Sequence, residues 1–374
     1  MKIVALAPFP FVEAEFGGGE RIFNLLTRVD SQIKVFVPNF GGEGTIVSKN
    51  LNLQVLKLPQ PDKVADWDIV VANHSKEYFG NLIADENPDL VILEHPWQIE
   101  ALSGQKFIYD AHNNETAMKK LISTQEVVER TMELEAQALQ ADHITFCSVD
   151  DKLQSDRPMT HIPNGVNLPD QPNKSGYKSR TIVFMGSAHP PNIGAAVTLA
   201  NMAPLLSDYQ IVIVGACSAF ISEPASNVTL VGHISKEALD LLLRTSFAFV
   251  NAIGGGSGTS LKVIKSLAYG LPVISSEVGA RGFSDGCIIA RTAQEVLESL
   301  EQLKSPDYYK MVSESNLELA KGYSWDVIGA KFNSIVQSFA WGINEADCSS
   351  PQSLRPAKPH DRKYRPSDRT ITHY

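Results

Sequence analysis

Short apolar runs rich in valine and isoleucine alternate with amphipathic stretches along most of the chain. Near-continuous hydrophobicity predicts strands of a parallel sheet covered on both faces, whereas apolar positions at helical spacing predict helices. Residues 17–29 begin with glycines and then become amphipathic, which predicts a glycine loop that opens a helix. Residues 115–140 predict one long helix. Strands are predicted at residues 2–8, 33–38, 68–73, 89–95, 106–112 and 143–148.

The same alternation begins again after a polar segment with Pro and Gly, residues 171–180, which we interpret as a linker. Two successive series of strands and helices predict two doubly wound α/β domains. Such domains bind ligands at the carboxyl ends of their strands, so we expect a cleft where the domains face each other. The second series comprises strands at 181–187, 209–215, 228–233, 247–252, 271–276 and 287–290, with helices in the 190s and at 235–244, 260–269 and 293–304.

The last amphipathic pattern, residues 324–343, predicts a helix that Ser324 caps. The tail, residues 344–374, has several prolines and basic residues and few apolar ones, which predicts an extended or disordered segment. The expected apolar face of the last helix comprises Val327, Ile328, Phe332, Ile335, Val336 and Phe339. The predicted boundaries are therefore a first domain at 1–167, a linker at 168–180, a second domain at 181–323, the helix and the tail.

The 374-residue chain is long enough for two cores and is acidic, with a formal net charge of −9. The charge argues against a nucleic-acid binder that works through its overall charge, but it leaves a local basic cleft as an alternative. The apolar start is short and lacks a small-residue cleavage site, so we interpret it as a strand rather than a signal peptide. No apolar run approaches the ~20 residues of a spanning helix. Widely spaced cysteines predict a reduced cytoplasmic compartment and neither a zinc site nor a disulfide framework; they are Cys147, Cys217, Cys287 and Cys348.

The segment GGGSGTSLK follows a predicted strand and opens the predicted helix at 260–269. Glycine-rich turns expose backbone N–H groups and a helix N-terminus adds partial positive charge, so together they form an anion site, usually for phosphate. Lys262 lies in the first turn, where a cation is unfavourable unless an anion meets it. We therefore predict a diphosphate site, with the hydroxyl of Ser257 or Thr259 on the oxygens; the spacing also fits a flexible loop with an incidental lysine. The segment comprises Gly254, Gly255, Gly256, Ser257, Gly258, Thr259, Ser260 and Lys262.

Six segments resemble GT-B glycosyltransferases, especially the large retaining family 4 (group 1), and they follow one another along the chain in the family's order. The glycine segment and its helix look like the donor site of that family, which carries a small-residue loop, an LK pair and an A-x-G-x-PV end. GSAHPPN, which replaces the family's arginine–lysine turn, is similar to a variant among exopolysaccharide-type sugar transferases. The segments are GTSLKVIKSLAYGLPVISSEVGARGF (258–283), FGGGERIFNLL (16–26), YDAHNNE (109–115), IPNGVN (162–167), FMGSAHPPNIGA (184–195) and YSWD (323–326).

The resemblance implies a GT-B fold with two Rossmann-like domains facing across a cleft. Residues 1–167 would form the acceptor side, residues 181–323 would bind a nucleotide sugar, and the helix at 324–343 would return to the first domain. The implied reaction moves a sugar from a nucleotide diphosphate donor to an acceptor hydroxyl, with retention and without a metal or another cofactor. Lysine, arginine and helix N-termini would then stabilise the departing diphosphate. The expected nucleotide is UDP, with GDP second.

The resemblance also assigns residues of the first domain. His112, in the D-x-H-N-x-E segment, is expected to face the transferred sugar or the acceptor, where an imidazole can hold a hydroxyl or the developing charge. The alternative is a histidine satisfied at a strand end. Glu115 is expected to be a base or a helix cap. Gly18 and Gly19 would let the backbone approach the donor sugar and phosphate, unless they only form a turn.

Further candidates lie at the first turn of the second domain and in the first predicted helix. Ser187, with His189 and Asn192, is expected to contact phosphate or sugar, although Asn192 suits a cap equally well. Glu20 and Arg21 are expected to pair only on a helix surface.

The donor segment departs from the family at the positions of two glutamates eight residues apart, which are Ser257 and Lys265 here. The second glutamate holds the nucleotide ribose, and a lysine cannot accept those hydrogen bonds. Three explanations stay open: Glu277 or another group replaces it, Lys265 binds additional negative charge, or the donor site has degenerated. We favour a modified, working site in which Lys262, Lys265 and Arg281 are the cations near the phosphates.

Three functions follow. The first is an enzyme that glycosylates a polysaccharide, lipid-linked oligosaccharide or other glycoconjugate, with peripheral contact to the inner membrane face through residues 116–140. The second is a glycosyltransferase for a modified nucleic-acid base, to which the basic tail segment 355–369 would add phosphate contacts and against which the acidic total argues. The third, motivated by Lys265, is a non-catalytic GT-B-like partner subunit.

Overall fold

The structure is a computed structural model that describes residues 1–12, 17–39, 41–59, 66–173 and 176–341. The predicted tail at 344–374, Cys348, the last two residues of the predicted closing helix and Phe16 lie outside the described residues. Within the described ranges Cys147, Cys217 and Cys287 are free thiols. None of the helices that the structure describes is both long and apolar enough to span a bilayer.

The first domain is built on an eight-stranded sheet with the order β3-β4-β2-β1-β5-β6-β7-β8, in which all pairs are parallel except β3 with β4. The chain moves outward from β1 and then returns to its other side with β5, so a topological switch point lies between them. The strands are β1 (Ile3–Leu6), β2 (Ile33–Asn39), β3 (Gly44–Ser48), β4 (Leu51–Lys57), β5 (Leu90–Glu94), β6 (Phe107–Ala111), β7 (His143–Phe146) and β8 (Met159–His161). The helices are α1 (Gly17–Leu26), α2 (Trp67–Glu86), α3 (Glu115–Ile122) and α4 (Gln125–Ala138).

The second domain contains a six-stranded parallel sheet with the order β11-β10-β9-β12-β13-β14. Its switch point lies between β9 and β12, so the glycine loop after β12 begins where a parallel sheet usually binds its ligand. The strands are β9 (Thr181–Met185), β10 (Gln210–Val214), β11 (Val228–Val231), β12 (Ala248–Asn251), β13 (Val273–Ser275) and β14 (Cys287–Ile289). The helices are α5 (Pro190–Met202), α6 (Lys236–Thr245), α7 (Leu261–Ala268), α8 (Ala293–Gln302) and α9 (Pro306–Lys321).

The last described helix, α10 (Trp325–Trp341), crosses back and packs on the first domain. Ile328, Phe332 and Val336 are buried in the core that contains β1 and α1, as the helical spacing predicts. The Ser324 hydroxyl accepts a hydrogen bond from the Val327 amide at 3.3 Å, so the predicted cap is present. Val327 itself is 41% exposed, and its assignment to the apolar face is wrong.

The predicted strand at 68–73 is wrong, because these residues form the beginning of α2. The Asp66 side chain accepts a hydrogen bond from the Asp68 amide and caps the helix, while Val70, Val71 and Ala72 are buried. A short apolar run does not distinguish a strand from a buried helix face, and here tertiary packing decides.

Other elements also differ from the sequence pattern. The single helix predicted at 115–140 is two helices, α3 and α4, with Ser123 as the C-cap of the first and Thr124 as the N-cap of the second. The β3–β4 hairpin, β8 and α9 were not predicted.

Candidate active site

The predicted site residues of the first domain lie after the carboxyl end of β6 and at the beginning of α1. His112 follows β6 directly, and its ring is buried. Its Nε2 lies 2.8 Å from Glu94 Oε2 and 3.3 Å from Asp110 Oδ2, while Nδ1 is buried without a hydrogen-bond partner. Nδ1 is 3.8 Å from the position that a Cβ on Gly18 would occupy. Gly18 therefore lies close to His112, while its predicted approach to the donor sugar and phosphate stays a prediction.

The protonation of His112 follows from these contacts. Burial lowers the pKa of His112, so the ring is neutral at physiological pH, and Asp110 opposes this shift. Burial raises the pKa of Glu94 well above its ordinary value, and the charge of Asp110 adds to this effect. Burial alone would raise the pKa of Asp110 too, but the charge of Arg21 holds it well below its ordinary value. With Asp110 ionised, Nε2 carries the proton and donates, so Nδ1 is left as an acceptor facing Gly18.

Arg21 is not a surface residue, and the prediction that it only pairs on a helix surface is wrong. It is 1% exposed and donates to both oxygens of Asp110, with Nε at 2.8 Å and Nη2 at 2.6 Å. Its Nη1 donates to the Ile162 carbonyl and to Asn164 Oδ1. The helix periodicity places position 21 on the buried face of α1, where a long cation requires a buried carboxylate. Glu20 accepts a hydrogen bond from the Trp325 indole instead.

His95 is a site residue that the sequence reasoning missed, although it is the last residue of the strand predicted at 89–95. Its φ of 67° lies in the left-handed region, which is uncommon for a residue with a Cβ and is concentrated at functional sites. The His95 and His112 rings lie 4.0 Å apart, and His95 Nε2 is buried, without a partner and 3.8 Å from a Cβ on Gly18. Two imidazole nitrogens therefore face the same glycine.

Glu115 supports His95 and does not cap α3. Its Oε1 lies 2.7 Å from His95 Nδ1 and accepts a hydrogen bond from Asn113 at 3.0 Å. Burial would raise the pKa of Glu115, but His95 brings it below the ordinary value. The α3 cap is Asn114, whose side chain accepts from the Ala117 amide, so the helix-cap alternative for Glu115 is wrong.

Lys262 of the second domain is a half-buried cation without an acidic partner among the described residues. Burial lowers the pKa of Lys262 to about 8, which is the effect of removing an ammonium group from water. Its Nζ donates to Asn192 Oδ1 and lies 5.2 Å from the centre of the Phe184 ring. Asn192 in turn donates to the exposed Ser187 hydroxyl at 3.0 Å. Ser187 and Asn192, predicted at one turn, and Lys262, predicted in the glycine loop, thus form one hydrogen-bonded cluster.

Two more donors without partners lie close to the beginning of α7. Ser260 is the N-cap residue, yet its side chain makes no capping bond, and its Oγ is buried without a partner. The Arg281 Nε is also buried without a partner, and Nη2 of this residue lies 3.3 Å from the position of a Cβ on Gly256. Two cations and a hydroxyl without a partner therefore lie at the α7 N-terminus, an arrangement that suits an anion.

The other half of the predicted loop faces the first domain. The Ser257 hydroxyl and the Gly258 amide donate to Asp151, and the Thr259 hydroxyl accepts from Asn164. The expectation that the Ser257 or Thr259 hydroxyl binds phosphate does not match this conformation, in which both hydroxyls contact the opposite domain. The remaining glycines lie at the lip of the loop: Gly254 is exposed, while Gly255 and Gly256 are half-buried.

The surroundings of Lys265 and Glu277 bear on the predicted ribose contact. Lys265 is half-buried, and no hydrogen bond or ion pair joins its ammonium group to the part of the chain that the structure describes. Glu277 pairs with Arg291 on the surface, where both side chains are about two-thirds exposed. Gly19, the second predicted glycine of α1, is buried in the helix.

One set of possible metal ligands occurs among the described residues. Glu94, Asp110 and His112 each place a ligand atom within 4.8 Å of the others. Because Arg21 already donates to both oxygens of Asp110, the charge of that carboxylate is compensated by the guanidinium.

Comparisons with known proteins agree with this architecture. The family model of glycosyl transferases group 1 matches residues 179–305. A phosphatidyl-myo-inositol mannosyltransferase of Mycobacterium leprae (strain TN) is 22% identical over 209 residues, which cover 50% of this chain and 56% of that protein. That match spans about half the length of the Mycobacterium leprae protein. The protein of the same name from Mycolicibacterium smegmatis (strain ATCC 700084 / mc(2)155) is 27% identical over 33% of this chain, and the match spans 36% of its length.

Solved structures extend the likeness to the whole described fold. Sucrose-phosphate synthase from Thermosynechococcus elongatus aligns with a TM-score of 0.75 at 15% identity, over 92% of this chain and 100% of that chain. HepE of Anabaena, in complex with UDP and glucose, aligns with a TM-score of 0.65 at 11% identity, over 92% and 100%. The two-domain fold predicted from the sequence is confirmed.

Proposed function

We propose that this GT-B fold chain, which resembles the group 1 glycosyltransferases, transfers a sugar from a nucleoside diphosphate donor to an acceptor hydroxyl. The observation that carries the proposal is the ammonium group of the half-buried Lys262, which lies at the α7 N-terminus without a carboxylate partner among the described residues. An uncompensated buried charge is unfavourable, and a diphosphate would remove that cost.

The arrangement of groups assigns roles in the transfer. The α7 N-terminus, Lys262 and Arg281 would hold the diphosphate and stabilise its charge as it departs. His112 Nδ1, an acceptor in the neutral ring, would hold a hydroxyl of the transferred sugar or of the acceptor. His95 Nε2 lies beside His112 Nδ1 and can accept a hydrogen bond from a second hydroxyl. No step of this scheme requires the protein to form a covalent intermediate.

The finer parts of the proposal come from the resemblance. UDP is the first nucleotide to test, since HepE was solved with UDP and glucose, and GDP is the second. We further propose retention of the anomeric configuration, and an acceptor in polysaccharide or other glycoconjugate synthesis.

Thermal unfolding in the presence of nucleoside diphosphates tests the proposal. UDP, GDP, ADP, CDP and dTDP would each be added to the full chain, and at a concentration of about 100 Kd a bound nucleotide stabilises by about 2.7 kcal/mol. We expect an upward shift with one of them, and we expect Lys262→Met to abolish it. Lys236→Met is the matched control, because Lys236 is an exposed lysine in the first turn of α6, in the same domain.

Two results would contradict the proposal. If none of the five nucleotides raises the melting temperature of the unmodified chain, there is no donor site. If one nucleotide binds but no nucleotide sugar is hydrolysed or transferred, the chain is the non-catalytic partner subunit, and the proposed enzyme activity is wrong.

A further inference from the structure

Three successive residues of the glycine loop are held by the opposite domain. The Ser257 Oγ donates to Asp151 Oδ1 at 2.7 Å, and the Gly258 amide lies 2.9 and 3.0 Å from the two oxygens of the same carboxylate. The Thr259 Oγ1 accepts from Asn164 Nδ2 at 2.8 Å. Each of the three residues therefore has at least one hydrogen bond across the domain boundary.

The fit around Gly258 leaves no room for a ligand between loop and domain. Gly258 is buried and has a φ of 71°, and a Cβ there would lie 2.6 Å from Asn113 Oδ1 and 2.8 Å from the His112 carbonyl. Ser257 Oγ also accepts a hydrogen bond from the Asn114 amide at 2.9 Å. The loop residues 257–259 are seated in a socket of the first domain, whereas the Ser260 hydroxyl, at the beginning of α7, has no partner.

The orientation of the Asn164 amide is fixed from behind by the buried charge cluster. Arg21 Nη1 donates to Asn164 Oδ1 at 3.1 Å, so the Asn164 nitrogen must point toward Thr259. Arg21 is the same residue that binds Asp110, the neighbour of His112. A chain of hydrogen bonds thus joins the His112 cluster to the loop.

We propose that Asp151 and Asn164 are positioning residues that hold the glycine loop across the domain boundary and thereby set the geometry of the donor site at the α7 N-terminus. This inference rests on the proposed function. The loop ends at Ser260, where α7 begins, so fixing residues 257–259 also fixes the direction of the helix amides and of Lys262. The donor site is then complete only when the two domains are closed on each other.

The alternative role for Asp151, competition with the donor, predicts the opposite change in nucleotide affinity. Its carboxylate accepts from an amide and a hydroxyl, as a phosphate oxygen would, so it could be an internal competitor that the donor must displace. A positioning residue strengthens nucleotide binding, whereas a competitor weakens it. The socket around Gly258 and the simultaneous engagement of Ser257, Gly258 and Thr259 favour positioning.

Asp151→Ala in the full chain tests the inference, with Asp150→Ala as the matched control. Asp150 is the neighbouring residue and is exposed, and its substitution changes the charge equally. In the ligand-free protein we expect amide hydrogen exchange of residues 254–260 to become about 10-fold or more faster in Asp151→Ala and to stay unchanged in the control. Titration with UDP, or with whichever diphosphate binds the unmodified chain, should show an affinity about 10-fold lower.

The kinetic readout separates positioning from mere stability. Asp151→Ala should raise KM for the nucleotide sugar and lower kcat, with a melting temperature within a few degrees of the control, and Asp151→Asn, which keeps one acceptor oxygen, should be intermediate. Tighter or unchanged diphosphate binding in Asp151→Ala would overturn the inference, as would unchanged exchange. If Asp151→Ala does not fold, Ser257→Ala replaces it, with the same expected directions.

The exchange measurement needs no nucleotide, so it distinguishes this inference from the proposed function. Unchanged exchange in a chain that binds a nucleotide would overturn this inference alone, whereas faster exchange in a chain that binds no nucleotide would contradict the donor site and leave only an interdomain contact. Faster exchange with weaker diphosphate binding supports both proposals.

Discussion

The two domains treat buried charge in opposite ways. In the first domain Arg21, Asp110, Glu94 and His112 form a buried cluster in which the cation has a bidentate carboxylate partner. In the second domain the half-buried Lys262 lies beside an amide oxygen and an aromatic ring, with no carboxylate partner among the described residues. In the first cluster the cation is neutralised by a carboxylate of the protein, whereas Lys262 has no such partner among the described residues.

The difference separates groups that orient from groups that bind. A compensated cluster fixes the position and tautomer of His112, and it needs no ligand to be stable. An uncompensated ammonium group lowers the stability of the free protein and is relieved by an anionic ligand. Destabilising charges of this kind are expected where a charged substrate is bound.

The largest expected effect breaks the compensated cluster. Asp110→Asn keeps the shape of the side chain but leaves the buried Arg21 guanidinium without a carboxylate at 2.6–2.8 Å. Removing one partner of a buried pair costs about 3–5 kcal/mol, so we expect a decrease of that size in the free energy of unfolding, measured by urea denaturation.

The matched substitution on the surface is Asp326→Asn, since Asp326 pairs with Arg28 at 2.9 Å and is 89% exposed. Exposed pairs contribute little, and we expect a loss below about 1 kcal/mol. Equal losses in the two variants would show that the Arg21 cluster is not compensated in the way we describe.

The second prediction concerns the uncompensated cation. Lys262→Met should increase the free energy of unfolding of the ligand-free chain by up to about 3 kcal/mol, because a pKa lowered from the ordinary lysine value to about 8 reports a cost of that order for the charged form. Lys265→Met, on the same helix and half-buried, is the control, and should change stability by less than about 0.5 kcal/mol. A destabilised Lys262→Met chain would mean that an unseen partner already neutralises Lys262.

The sequence was sufficient for the fold where local pattern and tertiary structure agree. Parallel strands buried on both faces produce continuous apolar runs, so β1, β5, β6 and the six strands of the second sheet were predicted close to their observed positions. The run at 68–73 has the same composition, yet it lies in α2, because the pattern of a short apolar run does not record which partner it packs against.

The site was predictable only where a residue type is unusual for its position. Lys262 was found because a cation at a helix N-terminus requires an explanation. Asp151, Asn164 and His95 were missed, since their roles depend on contacts between segments far apart in the chain, and no spacing within one segment reveals them. Arg21 was misjudged for the same reason, as its partner Asp110 lies 89 residues away.

The third and smallest effect is the pH dependence of nucleotide binding. With a pKa of about 8 in the free protein, Lys262 is half protonated at pH 8, whereas a bound diphosphate favours the charged form and raises its pKa. Binding should therefore be constant below about pH 7 and weaken by at most tenfold per pH unit above 8, about 1.4 kcal/mol. At pH 8 the complex should take up about half a proton, since the nucleotide phosphates, with a last pKa near 6, are already ionised.

Calorimetry in two buffers of different ionisation enthalpy measures this uptake directly. Lys262→Gln would keep a hydrogen-bonding side chain and should bind weakly, with no proton uptake and no pH dependence above 8. The free energy of unfolding of the ligand-free chain should change in the opposite direction. Because the pKa of Lys262 is lower in the folded than in the unfolded state, the unfolded state binds more protons in this range, so stability should rise with pH from about 8 toward the ordinary lysine pKa. If nucleotide binding is flat through this range while the ligand-free stability rises, Lys262 titrates but does not contact the diphosphate, and the contrast between the two domains is structural without being functional.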